Sequence, residues 1–265
     1  MRTGVIVADI RRPADVYGVH GTAGLTHWTC LARRAALCGD WEAVEWAGLP
    51  PGAASGEHLH TRTEEVYLLL RGRGELTLDG RRRQLAAGDL VLTALGSRHG
   101  LRNTGNEPLE WLVIELTATK RTTAPAPVEP RPRSAVITGL PALGRIDPRT
   151  VLSGPLRTIG IVRLRAGERA VLRADGEEHT VFVTAGDGRA APLGTGSSRS
   201  TAAGSGSASG SGSASGSGSG ELRVPLAPGT ALTLPLGTGA ALTAGRGGLE
   251  YVHAALTVPK QGPTS

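Results

Sequence analysis

Two glycine-framed segments limit this fold more than any other feature of the chain. The first is Gly52-x5-His58-x-His60-x4-Glu65-x6-Gly72, and the second is Gly88-x5-Ala94-x-Gly96-x2-His99-x3-Asn103. Together they supply three imidazoles and one carboxylate at a spacing with which a small β-barrel can surround a single metal ion. His58 and His60 are two residues apart, which on a strand places both rings on the same face. Glu65 opens the apolar stretch Glu65-Val-Tyr-Leu-Leu-Leu70. Period-2 alternation there sets Glu65, Tyr67 and Leu69 on one face and Val66, Leu68 and Leu70 on the other. The face carrying Glu65 is expected to line the site. His99 follows Asp89-Leu-Val-Leu-Thr-Ala94 and a Gly96-Ser97 turn, so it belongs to a different strand pair. Only a closed or folded-over sheet brings it back to the other three.

These segments resemble the two motifs of the cupin superfamily at every position except one, where Ala94 stands in place of the usual proline. The departure removes turn rigidity and no ligand. The resemblance implies an all-β chain with two jelly-roll barrels in tandem. It also implies that His58, His60, Glu65 and His99 ligate a divalent metal. Three neutral nitrogens and one anionic oxygen suit Fe(II), Mn(II), Ni(II), Cu(II), Co(II) or Zn(II), and Fe(II) is taken first. Four protein ligands on an ion that prefers six leave open positions, as expected of a catalytic centre, whereas a structural zinc is more often closed by cysteines.

The 265 residues, 39% hydrophobic, can bury one large core or two of ordinary size. Strand-like runs punctuated by Gly, Pro and Asp-Gly turns favour two all-β units. Leu31-Ala-Arg-Arg-Ala-Ala-Leu37 reads about equally as a short helix or as strand and connection. The net charge of +6 does not point to nucleic acid, because the arginines are scattered. The one run, Arg81-Arg-Arg83, follows Leu78-Asp79-Gly80, a tight hairpin turn, and reads as solvated. Lys120 and Lys260 are the only lysines among 29 basic residues, the bias of a GC-rich bacterial genome. Cys30 and Cys38 lack disulfide-framework and metal-ligand spacing and read as reduced thiols. The apolar run after Met1 is too short for a signal peptide, and no stretch approaches eighteen apolar residues. The expected protein is cytoplasmic, with neither membrane nor nucleic-acid partners, a small-molecule substrate, and a homodimer through barrel edges as one option. Apart from the metal, no cofactor-binding residues are expected.

The second half repeats the first with its ligands eroded. Gly167-x5-Arg173-x-Asp175, then Gly186, repeats the first motif at offsets of 115 and 114, and Gly229-x5-Pro235-x-Gly237-x2-Ala240-x3-Ala244 repeats the second at 141. The increase in offset corresponds to a Gly/Ser/Ala tract, expected to be a flexible coil. Arg173, Asp175 and Ala240 occupy ligand positions, with Glu178 or His179 nearest the glutamate position, so this copy is expected to hold no metal. A relocated site of Asp175, Glu178 and His179 is the lesser alternative. The expected organisation is a metal-binding barrel over 1–120, a Pro-rich linker over 121–134 and a degenerate barrel over 135–258, interrupted by the tract 194–220.

Gly72-x-Gly74 is not a dinucleotide loop, because Thr77 stands where the next glycine is needed. Trp28, Trp41, Trp46 and Trp111 read mainly as core residues, with Trp41 or Trp46 the candidate for an aromatic wall. His20, His27 and His253 are isolated in sequence and are assigned no role. Cupins with this ligand set are often dioxygenases, so the resemblance implies a redox enzyme first, in which Glu65 is also a base and Tyr67 a hydrogen-bond donor. A non-redox isomerase, cyclase, lyase or decarboxylase is the alternative. Its further acid or base would come from Glu57, Glu64, Arg62 or Tyr67, and Glu57 and Glu64 have the wrong parity. A non-enzymatic metal- or ligand-binding barrel is the third reading.

Overall fold

The computed structural model of the chain describes residues 4–22, 24–118, 132–193 and 223–258. The expected linker up to residue 131 and the Gly/Ser tract 194–220 lie outside the described residues. The all-β expectation holds. The first half contributes β1 (Ile6–Asp9), β2 (Ala14–Tyr17), β3 (Leu25–Arg33), β4 (Trp41–Leu49), β5 (Ala54–Leu59) and β6 (Thr63–Arg71). It continues with β7 (Arg73–Leu78), β8 (Arg81–Ala86), β9 (Leu90–Thr93), β10 (Arg98–Asn103) and β11 (Leu109–Thr117). The second half contributes β12 (Ser134–Ile137), β13 (Arg145–Ile146), β14 (Leu156–Leu164) and β15 (Arg169–Arg173). It ends with β16 (Glu177–Pro192), β17 (Val224–Leu226), β18 (Thr230–Leu234) and β19 (Gly239–Thr257). The ambiguous segment 31–37 resolves into the end of β3 and a 3₁₀ turn at Arg34–Ala36.

A seven-stranded sheet, in the order β12-β9-β6-β11-β4-β3-β2, faces a four-stranded sheet, β5-β10-β7-β8. Both contribute to one core cluster that includes Leu49, Tyr67, Leu69, Leu76, Leu101 and Trp111. The sheets remain open at their edges. The Asp79-Gly80 turn joins β7 to β8 with φ of 48° and 76°, the primed geometry read from the sequence, and Arg81, Arg82 and Arg83 are exposed beyond it.

In the second half the same path runs through fewer, longer strands. β16 spans the equivalents of β6 and β7, and β19 those of β10 and β11, with register shifts where the first half breaks. Gly186 and Gly72 occupy equivalent bends, with φ of 78° and 80°. A β-carbon on Gly72 would lie 2.5 Å from the Pro108 carbonyl oxygen, and one on Gly186 would lie 2.2 Å from that of Gly248. The framing glycines of the repeat therefore mark a shared backbone geometry.

The halves exchange edge strands. β1 pairs with β18 in the second sheet system, and β12 pairs with β9 in the first. Between them lies a third cluster, with Trp41, Trp46, Val66 and Leu68 from the first half and Leu156, Ile159, Phe182 and Leu256 from the second. Two buried carboxylates cross this junction. Glu64 accepts hydrogen bonds from Ser153 N, Ser153 Oγ and Gly154 N, the shortest to each oxygen at 2.8 Å. Glu178 accepts from Cys38 N and Gly39 N at 2.9 Å, and from Leu236 N at 3.0 Å. Glu178 is thus committed to the junction, which removes it from the relocated site considered above.

Ala94 gains meaning here. Its N–H donates to the Arg133 carbonyl at 2.9 Å, just before β12 enters the sheet. A proline would have no such donor.

Candidate metal centre

The ligand candidates come from both faces of the first jelly roll. His58 on β5 sits directly across from His99 on β10. His60 follows immediately after β5, and Glu65 projects from β6 in the opposing sheet, paired in register with Glu115 of β11. Strand parity thus works as the sequence reading requires, with Glu65, Tyr67 and Leu69 inward and Glu64, Val66 and Leu68 toward the other half.

One potential ligand atom from each of His58, His60, Glu65 and His99 lies within 4.8 Å of all the others, the one such group of three or more among the described residues. The three imidazole centroids are 4.7–4.9 Å apart. His60 Nε2 is 3.2 Å from His99 Nε2, and Glu65 Oε2 is 2.9 Å from His99 Nε2 and 3.3 Å from His60 Nε2. Metal–ligand bonds of about 2.1 Å at right angles would set neighbouring ligand atoms roughly 3.0 Å apart, so this packing fits a first-row ion.

The outer ring nitrogens support that fit. His58 Nδ1 lies 3.1 Å from the Gly56 carbonyl, His60 Nδ1 3.3 Å from the Thr63 carbonyl and His99 Nδ1 2.9 Å from Thr93 Oγ1. A carbonyl can only accept, so His58 and His60 donate through Nδ1 and turn the Nε2 lone pairs inward. Glu65 Oε2 faces the same point and makes no well-directed hydrogen bond. Acceptors that converge in this way are satisfied by a cation, either a proton carried by an imidazole or a metal ion.

Charge follows the same geometry. Burial works against the Glu65 carboxylate, but hydrogen bonding and charge from His60 and His99 outweigh it and hold the group at about 2. Burial pulls His60 down, yet Glu65 lifts it above the ordinary histidine value. His58 is pushed down to about 4, chiefly by burial. The Tyr67 ring lies 4.6 Å from the His99 ring, tilted by 34°, and burial and Glu65 raise its hydroxyl well above the usual range, so it is a proton donor and not a phenolate.

A cavity of about 280 Å³ opens onto Glu65 and Tyr67. Its apolar walls are Val16, Val19, Trp28, Ala47, Trp111 and Val113. His20, Thr26, Glu45 and Ser55 supply the other polar groups, and no Arg or Lys among the described residues lines it. Thr26 Oγ1 and Trp111 Nε1 have no hydrogen-bond partner among the described residues. A larger opening of about 830 Å³, lined by Arg33, Cys38, Glu42, Ala43 and Glu115, contains none of the four ligand candidates, but Glu45 borders both spaces. Burial raises the Glu45 carboxyl, Glu115 and Glu65 add to the rise, and the Trp28 indole N–H donating at 3.0 Å opposes it.

Several sequence assignments change. The aromatic wall is Trp28 and Trp111; Trp41 and Trp46 are in the junction core. A register shift in the β4–β11 pairing between Glu115 and Leu116 places Trp41 opposite Leu116, on the junction face. His20 is not isolated, for its ring lies against His58. Glu45 was missed, although its parity with Ala43 and Ala47 along β4 was legible. Cys30 and Cys38 are free thiols. No helix among the described residues is long and apolar enough to cross a membrane.

In the second half His179 takes the position equivalent to Glu65. His253 Nε2 lies 3.3 Å from His179 Nδ1, while His179 Nε2 meets the Arg173 carbonyl at 3.0 Å. His253 is therefore not isolated either. Burial, then the charge of His179, lowers it to about 4 from an ordinary 6.5. The fold keeps it neutral while the unfolded chain protonates first, so stability should fall as pH drops from about 6.5 to about 4. His253→Gln should show a shallower loss of Tm across that window. Equal slopes in the two proteins would contradict this assignment.

The comparisons agree with the geometry. The Cupin domain family matches residues 46–115, which include all four ligand candidates. Gentisate 1,2-dioxygenase from Ralstonia sp is 38% identical over 67 residues, 25% of this chain and 19% of that protein. The crystal structure of Ylba from E. coli superposes with a TM-score of 0.68 at 11% identity, covering 97% of this chain and 93% of that one, so the whole two-part architecture has a solved counterpart. The oxalate-binding protein of Thermotoga maritima is 30% identical over 113 residues, 42% of this chain. Because that match takes in 93% of the Thermotoga protein, and the Cupin domain match runs through every ligand candidate, the chain belongs to the cupin family.

Proposed function

We propose that the chain is a metal-dependent oxidoreductase of the dioxygenase type, acting on a small chelating substrate with a phenolic or similar hydroxyl. The observation that carries this reading is the convergence of three imidazoles and a carboxylate beside a half-open cavity walled by Trp28 and Trp111. His58, His60, Glu65 and His99 would hold the ion, with Fe(II) the first candidate. When bound, such an ion supplies Lewis acidity and, if redox-active, an electron path to dioxygen. The chain's own residues supply the rest. Trp28, Trp111 and Val113 exclude water and offer flat apolar faces to a ring. Tyr67 donates a hydrogen bond to a substrate oxygen, and the unpartnered hydroxyl of Thr26 offers a second. The carboxylate of Glu65, held ionised by the imidazoles around it, accepts a hydrogen bond from a substrate hydroxyl.

The relatives point to two ligand chemistries, oxalate and gentisate. The cavity weighs toward an aromatic hydroxy compound, because its described lining offers the flat faces of Trp28 and Trp111 and no Arg or Lys to pair with a second carboxylate. A non-redox reading, an isomerase or lyase, is favoured by one observation: Glu45 gives the cavity a carboxyl, apart from the ligands, that burial keeps protonated above its ordinary range.

Metal analysis of protein purified without chelator, followed by oxygen uptake with gentisate, catechol and oxalate as probes, tests these readings. Stoichiometric iron, manganese, nickel or copper with uptake on a phenolic probe is the expected result. Zinc with anaerobic conversion would transfer the function to the second reading. No metal after reconstitution would defeat both and leave a binding module.

A further inference from the structure

We infer that His20, which is outside the ligand set, is a positioning residue for the metal group, holding the His58 ring in its inward-facing orientation. This rests on the metal reading of the four ligand candidates. His58 is the ligand candidate that most needs such support. His60, Glu65 and His99 are buried, whereas His58 is half-exposed at the rim, with a single hydrogen bond, to the Gly56 carbonyl. His20 closes its open face, with ring centroids 3.5 Å apart and planes inclined by 11°.

The turn that carries His20 is built to keep it there. Gly18, His20 and Gly21 all have positive φ, and His20 at φ 50°, ψ 40° adopts a conformation that residues with a β-carbon rarely take. Thr22 Oγ1 bridges the turn to β5, donating toward the Val19 carbonyl at 2.9 Å and the Ala54 carbonyl at 2.8 Å. The His20 carbonyl presses so close to Gly56 that a β-carbon there would lie 2.0 Å from it. Gly56 therefore does two things: its carbonyl fixes the tautomer of His58, and its missing side chain admits the residue that stacks on His58.

Cobalt(II) titration by calorimetry, with the d–d absorption of the loaded protein as a second readout, tests the inference. His20→Ala should weaken cobalt binding about 10–100-fold, the range expected when an outer partner of a ligand is lost, and should shift the cobalt bands. His20→Phe keeps a flat ring over His58 and should bind close to the parent. Gly56→Ala leaves His20 in the sequence but displaces its turn, and should reproduce the His20→Ala loss. Parental affinity and spectrum in His20→Ala would overturn the inference. An equal loss in His20→Phe would overturn it too, by showing that a His20 nitrogen acts and not its ring. If the parent itself takes up no cobalt, the metal reading beneath the inference fails, and that result is separable from the other two.

Discussion

Replacing Glu64 with alanine is expected to destabilise the fold by about 3–5 kcal/mol, because hydrogen bonds to a charged group contribute about 1.5–3 kcal/mol each and buried donors left unsatisfied cost about 1–3 kcal/mol. The side chain is 1% exposed and serves the Ser153 and Gly154 N–H groups and the Ser153 hydroxyl. Alanine would strand all three donors where water cannot replace the acceptor. Glu178→Ala should behave the same way. It lies 114 residues on from Glu64, is 0% exposed, and receives Cys38 and Gly39, which lie 115 residues before Ser153 and Gly154. The two halves thus clasp each other through one device used twice. Gln variants keep an acceptor oxygen at each site and should lose less. Urea unfolding followed by circular dichroism and tryptophan fluorescence checks this, because Trp28, Trp41, Trp46 and Trp111 all report on the first half. In the alanine variants the two probes should separate, as the shared core loses its ties before each half unfolds. A loss below about 1 kcal/mol would show that the donors find other partners, leaving the junction held by its apolar cluster alone.

What the sequence revealed and what it hid divide along physical lines. Strand parity is local, so the inward face of Glu65, Tyr67 and Leu69 and the exclusion of Glu64 could be read from spacing alone. The hairpin at Asp79-Gly80 was equally legible, since two successive positive φ values leave few residue choices. The repeat of framing glycines survived ligand loss because backbone bends depend on the absence of a β-carbon and not on metal. Three things were hidden. The register shift in β4 moved Trp41 off the cavity side, and such a shift leaves no mark in an alternating pattern. His20 reaches the centre from a turn between two strands, a distant contact that no periodicity announces. Glu64 and Glu178 read as discounted or relocated acids because their partners are backbone N–H groups in the opposite half, which have no side-chain signature. The Gly39 and Gly154 positions carried a clue in retrospect: a β-carbon at either would lie 3.1 Å from the clasping carboxylate.

Loss of a ligand should be more severe than loss of its support. His99→Ala and Glu65→Gln are each expected to weaken divalent metal binding by more than the roughly 100-fold upper range of an outer-partner change. Both should remain folded. Glu65 and His99 lie outside the apolar clusters, and a neutral amide at 65 relieves the burial that works against the Glu65 carboxylate. In the parent, metal at a hundred times its Kd should add about 2.7 kcal/mol to stability, and this gain should vanish in both variants. A parent-like rise in Tm on adding metal to His99→Ala would place the ion elsewhere; global unfolding would make the centre structural. The pH response gives a further discriminator. Because Glu65 lifts His60 above the ordinary histidine value, a proton on His60 competes with metal, and parental affinity should decline as pH falls through the neutral range. Glu65→Gln removes that lift, so the His60 ring, followed by NMR in the metal-free protein, should titrate at lower pH than in the parent. An unchanged titration would mean that the carboxylate does not act on His60, and the shared electrostatics of the four-residue group would have to be abandoned.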